Sequence, residues 1–188
     1  SSAASDVYKR QGCDSVQNAV LDGRLFWLWG DTLLAKYPLG IFDGTAAHTP
    51  LSPLDRFEPP VRLRLDYYRD AAGAPKPIAK MAGNGPTWVT GVAGVPDAAG
   101  VTRLVGTFMK IKPPMDAYRA GLCVWDKDAE HFAELKTVWE QSDKEPRSQP
   151  LLEGHPVEWQ DASGKKWLLF GNPFPTIRCP ATFEAWAN

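Results

Sequence analysis

Apolar residues in this chain come in short runs broken by Asp, Gly and Pro rather than in long helical stripes. Three stretches, 14–32, 86–107 and 153–172, share one order. Each opens on a polar or special residue and runs into an apolar segment. It then turns at an Asp-and-Gly element: Asp22-Gly23, Asp97 with Gly100, Asp161 with Gly164. It returns along an apolar strand ending in Gly30, Gly106 or Gly171. Asp and Gly tolerate the positive φ that tight hairpins require, so each stretch is predicted to be a β-hairpin. Between the hairpins lie more polar strand pairs. The clearest is 120–125, a turn at 126–130, and 131–139. Residues 61–66 alternate apolar and basic positions, as a half-exposed strand does. Residues 35–60 and 70–86 read as long inserted loops.

A recurring inner hairpin followed by an outer amphipathic pair predicts an all-β fold. The expected form is a partial β-propeller of about three four-stranded blades at 12–83, 84–146 and an incomplete 147–188. A β-sandwich is the alternative, since it too has short strands and frequent turns. Propellers typically close with four to eight blades, so the chain is expected to be a fragment. Residues 1–11 (SSAASDVYKRQ) contain no apolar segment of a signal peptide. They resemble the translated adapter sequence found at the ends of metagenomic reading frames, and are read as a non-native leader.

Composition narrows the functional classes. A formal net charge of −1 argues against a partner held by bulk charge, so no nucleic acid is expected. No run of 18 apolar residues suggests a membrane span. Cys13, Cys123 and Cys179 are far apart and lack metal-type spacing. They are expected to be small packed thiols, with a single disulfide as the alternative. His48 falls in a predicted loop and His131 on an outer strand, so no metal site is expected.

The opening hairpin resembles the first blade of five-bladed propeller glycosidases such as glycoside hydrolase family 43. There, an Asp precedes the first inner strand, followed by a D-G turn and an aromatic-rich strand. Asp14, Asp22-Gly23 and the segment 25–30 (LFWLWG) follow that order. Glu153-Gly154-His155-Pro156 is similar to the Glu-Gly-Pro-like element that opens a later inner strand in the same group. The end Gly30-Asp31-Thr32 is similar to uncharacterised propeller families with a G-D-T element. The likeness spans most of 12–172 as a pattern of short motifs.

Glycoside hydrolysis uses two carboxyl groups flanking the scissile bond. The resemblance implies Asp14 as general base and Glu153 as general acid; His155, constrained between Gly154 and Pro156 at an inner-strand start, is a third catalytic candidate, as a general acid/base, a metal ligand or a sugar hydrogen-bond donor. It also implies a secreted or periplasmic location and a carbohydrate partner. The chain departs from the pattern at Gly85-Pro86-Thr87-Trp88, where the glycosidases carry a third Asp. A Trp there suits a sugar platform, because aromatic faces pack on apolar sugar faces.

Asp31, Thr87 and Trp88 are therefore substrate-binding candidates. Lys110, Lys112 and Arg119 form a candidate basic rim for an acidic or sulfated sugar. Trp27, Trp29, Trp125, Trp139 and Trp167 are read as packing between blades, and Arg24, Arg62 and Arg64 as surface charges on strands. No cofactor is implied; a structural calcium on the propeller axis stays open. Three functions compete: a glycoside hydrolase-like enzyme, a non-catalytic carbohydrate-binding propeller and a protein-binding scaffold.

Overall fold

The three Asp/Gly hairpins form where the turn residues place them. The computed structural model describes residues 10–13, 15–34, 43–51, 63–142, 154–171 and 174–188 and, at 10–13, 31, 33 and 34, the backbone alone. Strands β1 (Arg10–Cys13), β2 (Val16–Leu21), β3 (Arg24–Leu34), β4 (Asp43–Pro50) and β5 (Asp66–Tyr67) make the first sheet. The turn between β2 and β3 holds Asp22 and Gly23 at φ 50° and 69°, which is why this pair stands there. Cys13 faces Thr32 and Val16 faces Trp29 in one unbroken register, so β1 and β2 run along the same edge of β3.

The second sheet is a meander of β6 (Thr87–Pro96), β7 (Thr102–Lys112), β8 (Asp116–Asp126) and β9 (His131–Glu140). The third contains β10 (Val157–Gln160), β11 (Lys166–Phe170) and β12 (Ile177–Pro180). The hairpin turns of both are closed by aspartates. Asp97 accepts from the backbone N–H groups of Ala99 and Val101, and Asp161 from those of Ser163 and Lys165. Among the described residues the protein is thus all-β, with three open antiparallel sheets and one short helix, α1 (Phe183–Ala187). Among the described residues no helix is long and apolar enough to cross a membrane.

The middle sheet buries both faces, which explains the near-continuous apolar run of β7. Leu104 and Phe108 of β7, with Cys123 and Trp125 of β8, pack toward Phe26, Leu28 and Ala46 of the first sheet. Val105, Leu122 and Val124 pack the other way, against Leu168, Phe170 and Trp186. On β6 the alternation slips: Val89 and Val92 join the first core, Ala93 and Val95 the second. A register shift between Thr90 and Ala93 inserts one residue and turns the strand over.

Several expectations change. The predicted loop 35–60 contains β4, which pairs with β3 from Asp43 to Pro50. Its sequence, DGTAAHTP, carries little strand signal. Thr45, Ala46 and Ala47 are fully buried because the interior accepts only small side chains there. His48 consequently sits in a strand, opposite Phe26. Of the predicted strand 61–66, the pairing appears only at β5, against Ala47 and His48; residues 61 and 62 lie outside the described residues. The predicted loop 70–86 is a strap between two sheets. Ile78 donates its N–H to Gly44 and accepts from Phe132, and Ile78, Ala79 and Met81 are buried. Trp125 packs in the core between the first two sheets. Trp27 instead stacks on Trp29 within one sheet, and Trp167 lies between Lys165 and Arg178. Cys123 and Cys179 are free thiols, the first buried and the second half-buried; burial raises both of their pKa values.

Candidate functional site

The first strands of neighbouring sheets approach each other. The Gln17 amide of β2 donates to Thr90 Oγ1 of β6 at 2.9 Å and accepts from the Val92 N–H at 3.1 Å. The Gly154 carbonyl, just before β10, lies 3.3 Å from where a Cβ on Gly91 would stand. One end of the molecule therefore collects the starts of β2, β4 and β6, the end of β7, and the segment that enters β10.

At that end the Thr87–Lys110 pair is the organised element. Lys110, at the end of β7, is only 2 % exposed. Its ammonium donates to the Gly85 carbonyl at 2.6 Å and to Thr87 Oγ1 at 3.1 Å. Thr87 Oγ1 also accepts from the Met81 N–H, and the Thr87 N–H donates to Asp43 Oδ1 at 3.3 Å. Burial lowers the Lys110 pKa, Asp43 opposes that shift, and Arg119 and Lys80 reinforce it. Asp43 thus brings a carboxylate to the start of the second sheet, where the chain has Thr87 instead. The sequence hid it by placing it in a predicted loop of the preceding unit. Lys110→Met is expected to cost about 1–3 kcal/mol, because Gly85 and Thr87 lose their donor in a buried setting. Urea unfolding checks this, and an unchanged midpoint would show that those acceptors find other partners.

The remaining sequence candidates differ in what surrounds them. Asp14 and Glu153 lie outside the described residues, and at Asp31 only the backbone, within β3, is described. Trp88 is half-buried beside Thr87, its indole N–H buried without a partner among the described residues. His155 is exposed, between Gly154 and a buried Pro156, and partial burial of its ring lowers its pKa. Lys112 is exposed and donates to Gln141 at 2.6 Å. Arg119 is held within its own sheet by Glu134, Glu140 and Thr137, and by the Ala82 carbonyl at 2.9 Å. Lys110, Lys112 and Arg119 are therefore one buried cation, one exposed cation and one engaged guanidinium. Among the described residues no group of His, Cys, Asp and Glu is arranged to hold a metal.

A cleft of about 360 Å³ opens at the opposite end of the strands, between the β2–β3 and β8–β9 turns. Among the sequence candidates whose side chains are described, none lines it. Phe26, His48, Tyr68 and Trp125 form its floor, with Trp125 4.9 Å from Tyr68 and 5.0 Å from Phe26 between ring centres. Asp22, Arg24, Lys127 and Glu130 form its rim. Lys127 pairs with Asp22 at 2.6 Å, and Lys76 pairs with Glu130 at 3.2 Å. The residues that build this cleft lie up to about a hundred positions apart. In sequence only the aromatic enrichment hinted at them.

Arg24 Nη1 lies 2.8 Å from His48 Nε2. A guanidinium can only donate, so Nε2 accepts and the ring is neutral, its proton on the buried Nδ1. Burial first, then the Arg24 charge, pushes the His48 pKa below its ordinary 6.5. Below pH 6.5 the unfolded chain therefore takes up a proton that the folded chain refuses. This contribution to stability is complete above pH 6.5 and declines as pH falls through that value toward the folded pKa. His155 acts in the same direction. Melting temperatures are expected to fall between pH 7 and 5, with a shallower slope in His48→Gln; an identical slope would remove His48 from the account.

Compared with known proteins, the chain matches no protein-family model, no curated protein and no solved structure.

Proposed function

We propose that the three sheets are successive blades of a β-propeller whose strand-start end is a carbohydrate site of glycoside hydrolase type. The observation that carries this reading is the approach of the three sheets through β2, β6 and the Gly154 segment, the second and third sheets being meanders in chain order and the first following chain order from β2 to β5 with β1 on the same edge as β2. Inner strands that converge at one end bring residues from separate units to one mouth. In this reading Asp14 is the base, Glu153 the acid and His155 a neighbour of the acid. Trp88 meets the sugar, whereas Thr87, buried at 1 % exposure and engaged by Lys110, lies beneath the surface beside it. Asp43, beside the buried Lys110, supplies a carboxylate near the second inner strand. An acidic or sulfated substrate suits a mouth underlain by a cation.

The test is turnover of a panel of neutral and acidic polysaccharides by the wild type, Asp14→Asn and Glu153→Gln. Loss of either carboxyl is expected to lower the rate about 10²–10⁴-fold. Undiminished hydrolysis by both variants would reject the assignment. The second reading is a non-catalytic carbohydrate-binding propeller. It is favoured by the engagement of Thr87 with Lys110 where the glycosidases carry an Asp. Glycan binding without turnover, weakened by Trp88→Ala, would select it.

A further inference from the structure

The cleft between the β2–β3 and β8–β9 turns has the makings of a ligand site distinct from the strand-start end. At about 360 Å³ it falls at the low end of small-molecule sites, about 300–1,000 Å³. Its floor is aromatic and its rim is charged. The rim charges are not equally committed. Lys127 is spent on Asp22 and Lys76 on Glu130. Arg24 is exposed, and its contact is with a neutral ring, His48 Nε2, through one nitrogen. Its fork therefore retains donors, and its charge meets no carboxylate among the described residues. Asp66 lies near His48 but is paired with Arg64 at 3.1 Å.

Tyr68 adds a second donor. Its pKa is pushed up to about 12, first by burial and then by Glu130, with Arg24 and Asp22 also felt. Tyr68 lines the cleft together with these charged residues, and its hydroxyl stays protonated. Asp22 and Glu130, each engaged by a single lysine, keep acceptor capacity on their second oxygens. A ligand that answers all of these groups carries one anionic group for Arg24, hydroxyl donors for the carboxylates, and an apolar ring face for the aromatic floor. Benzoate, a planar aromatic acid, has no hydroxyl donors, and a neutral sugar has no anion.

We propose that this cleft binds a uronic-acid-type sugar, its carboxylate on Arg24, its hydroxyls on Asp22, Glu130 and Tyr68, and its ring over the Tyr68–Trp125 edge. An Arg fork matches a carboxylate bidentately, which sets the ligand's orientation. The site stands independently of the carbohydrate reading of the strand-start end.

Calorimetric titration of the chain at low salt with galacturonate, galactose and benzoate tests it. Galacturonate is expected to bind more tightly than benzoate, which lacks the hydroxyls, and at least about tenfold more tightly than galactose, the effect of one charge-assisted pair worth about 1.4 kcal/mol. Arg24→Met should erase that preference, Arg24→Lys should retain part of it, and Tyr68→Phe should weaken galacturonate severalfold. Arg24 is exposed, so at pH 7 its two variants should melt as the wild type does. Asp14→Asn and Glu153→Gln should leave this binding unchanged, which separates it from the strand-start site. Equal affinity for the acid and the neutral sugar, a preference that survives in Arg24→Met, or no saturable binding of galacturonate would overturn the proposal.

Discussion

Phe26→Ala is expected to destabilise the protein by about 3–5 kcal/mol, the range for removing a buried aromatic ring. Phe26 projects from β3 at 1 % exposure and touches rings on both sides of the sheet boundary. Trp125 and Phe132 of the second sheet lie 5.0 and 6.1 Å away in edge-on geometry, and Tyr68 lies 5.8 Å away. Deleting the ring removes apolar burial and empties the space against which those partners pack. Domains of this size are stable by about 5–15 kcal/mol, so the loss takes between about a fifth and nearly all of that stability. Denaturant unfolding followed by circular dichroism measures it. Phe26→Leu, which keeps most of the volume, should lose about 1.5 kcal/mol or less. A loss under 1 kcal/mol in Phe26→Ala would mean that the first two sheets do not share a core.

Gly85→Ala should come second, at about 2–5 kcal/mol, from two separable causes. Gly85 holds φ +80°, which costs a residue with a Cβ about 1–2 kcal/mol. A Cβ there would also stand 2.1 Å from the Ile111 carbonyl oxygen, part of the β7 backbone, and such overpacking adds about 1–3 kcal/mol. Gly100 isolates the first cause: its φ is +78°, and nothing lies within 4 Å of its missing Cβ. Gly100→Ala should lose only the conformational part. The Gly85 carbonyl accepts from Lys110, so Gly85→Ala should also disturb the Thr87–Lys110 pair, whereas Gly100→Ala leaves it intact. Equal losses in the two variants would show that β7 yields at no cost.

The hairpins were legible because their signals are local. A turn is decided by two to four adjacent residues, and Asp22-Gly23, Asp97 with Gly100, and Asp161 with Gly164 hold the φ values and side-chain bonds that close them. The outer pair β8 and β9 was legible for the same reason, with Asp126 accepting from Asp128 and Ala129 in the turn between them. Strand β4 was not. Ala46 and Ala47 have weak preference for a strand and take that form because β3 supplies the ladder and leaves room only for small side chains. The closing helix was equally hidden. Its N-cap, Thr182, accepts from Ala185, yet the helix is placed by Trp186 packing on Phe170.

The candidate sites divide along the same line. Thr87, Trp88 and Lys110 were visible as a strand start and a strand end, but the burial of Lys110 and the arrival of Asp43 beside it come from strands 44 and 67 positions apart in the chain. His48 read as a loop residue and Arg24 as an ordinary surface charge; together they border the aromatic cleft. The sequence by itself determined an all-β chain built of three Asp/Gly-turned hairpins, because alternation and turn chemistry are properties of neighbouring residues. Only the tertiary structure decided that the middle sheet is buried on both faces, that 70–86 is a strap rather than a free loop, and which charges meet which rings. Those are contacts between distant segments, and their energies depend on burial and geometry that no local pattern encodes.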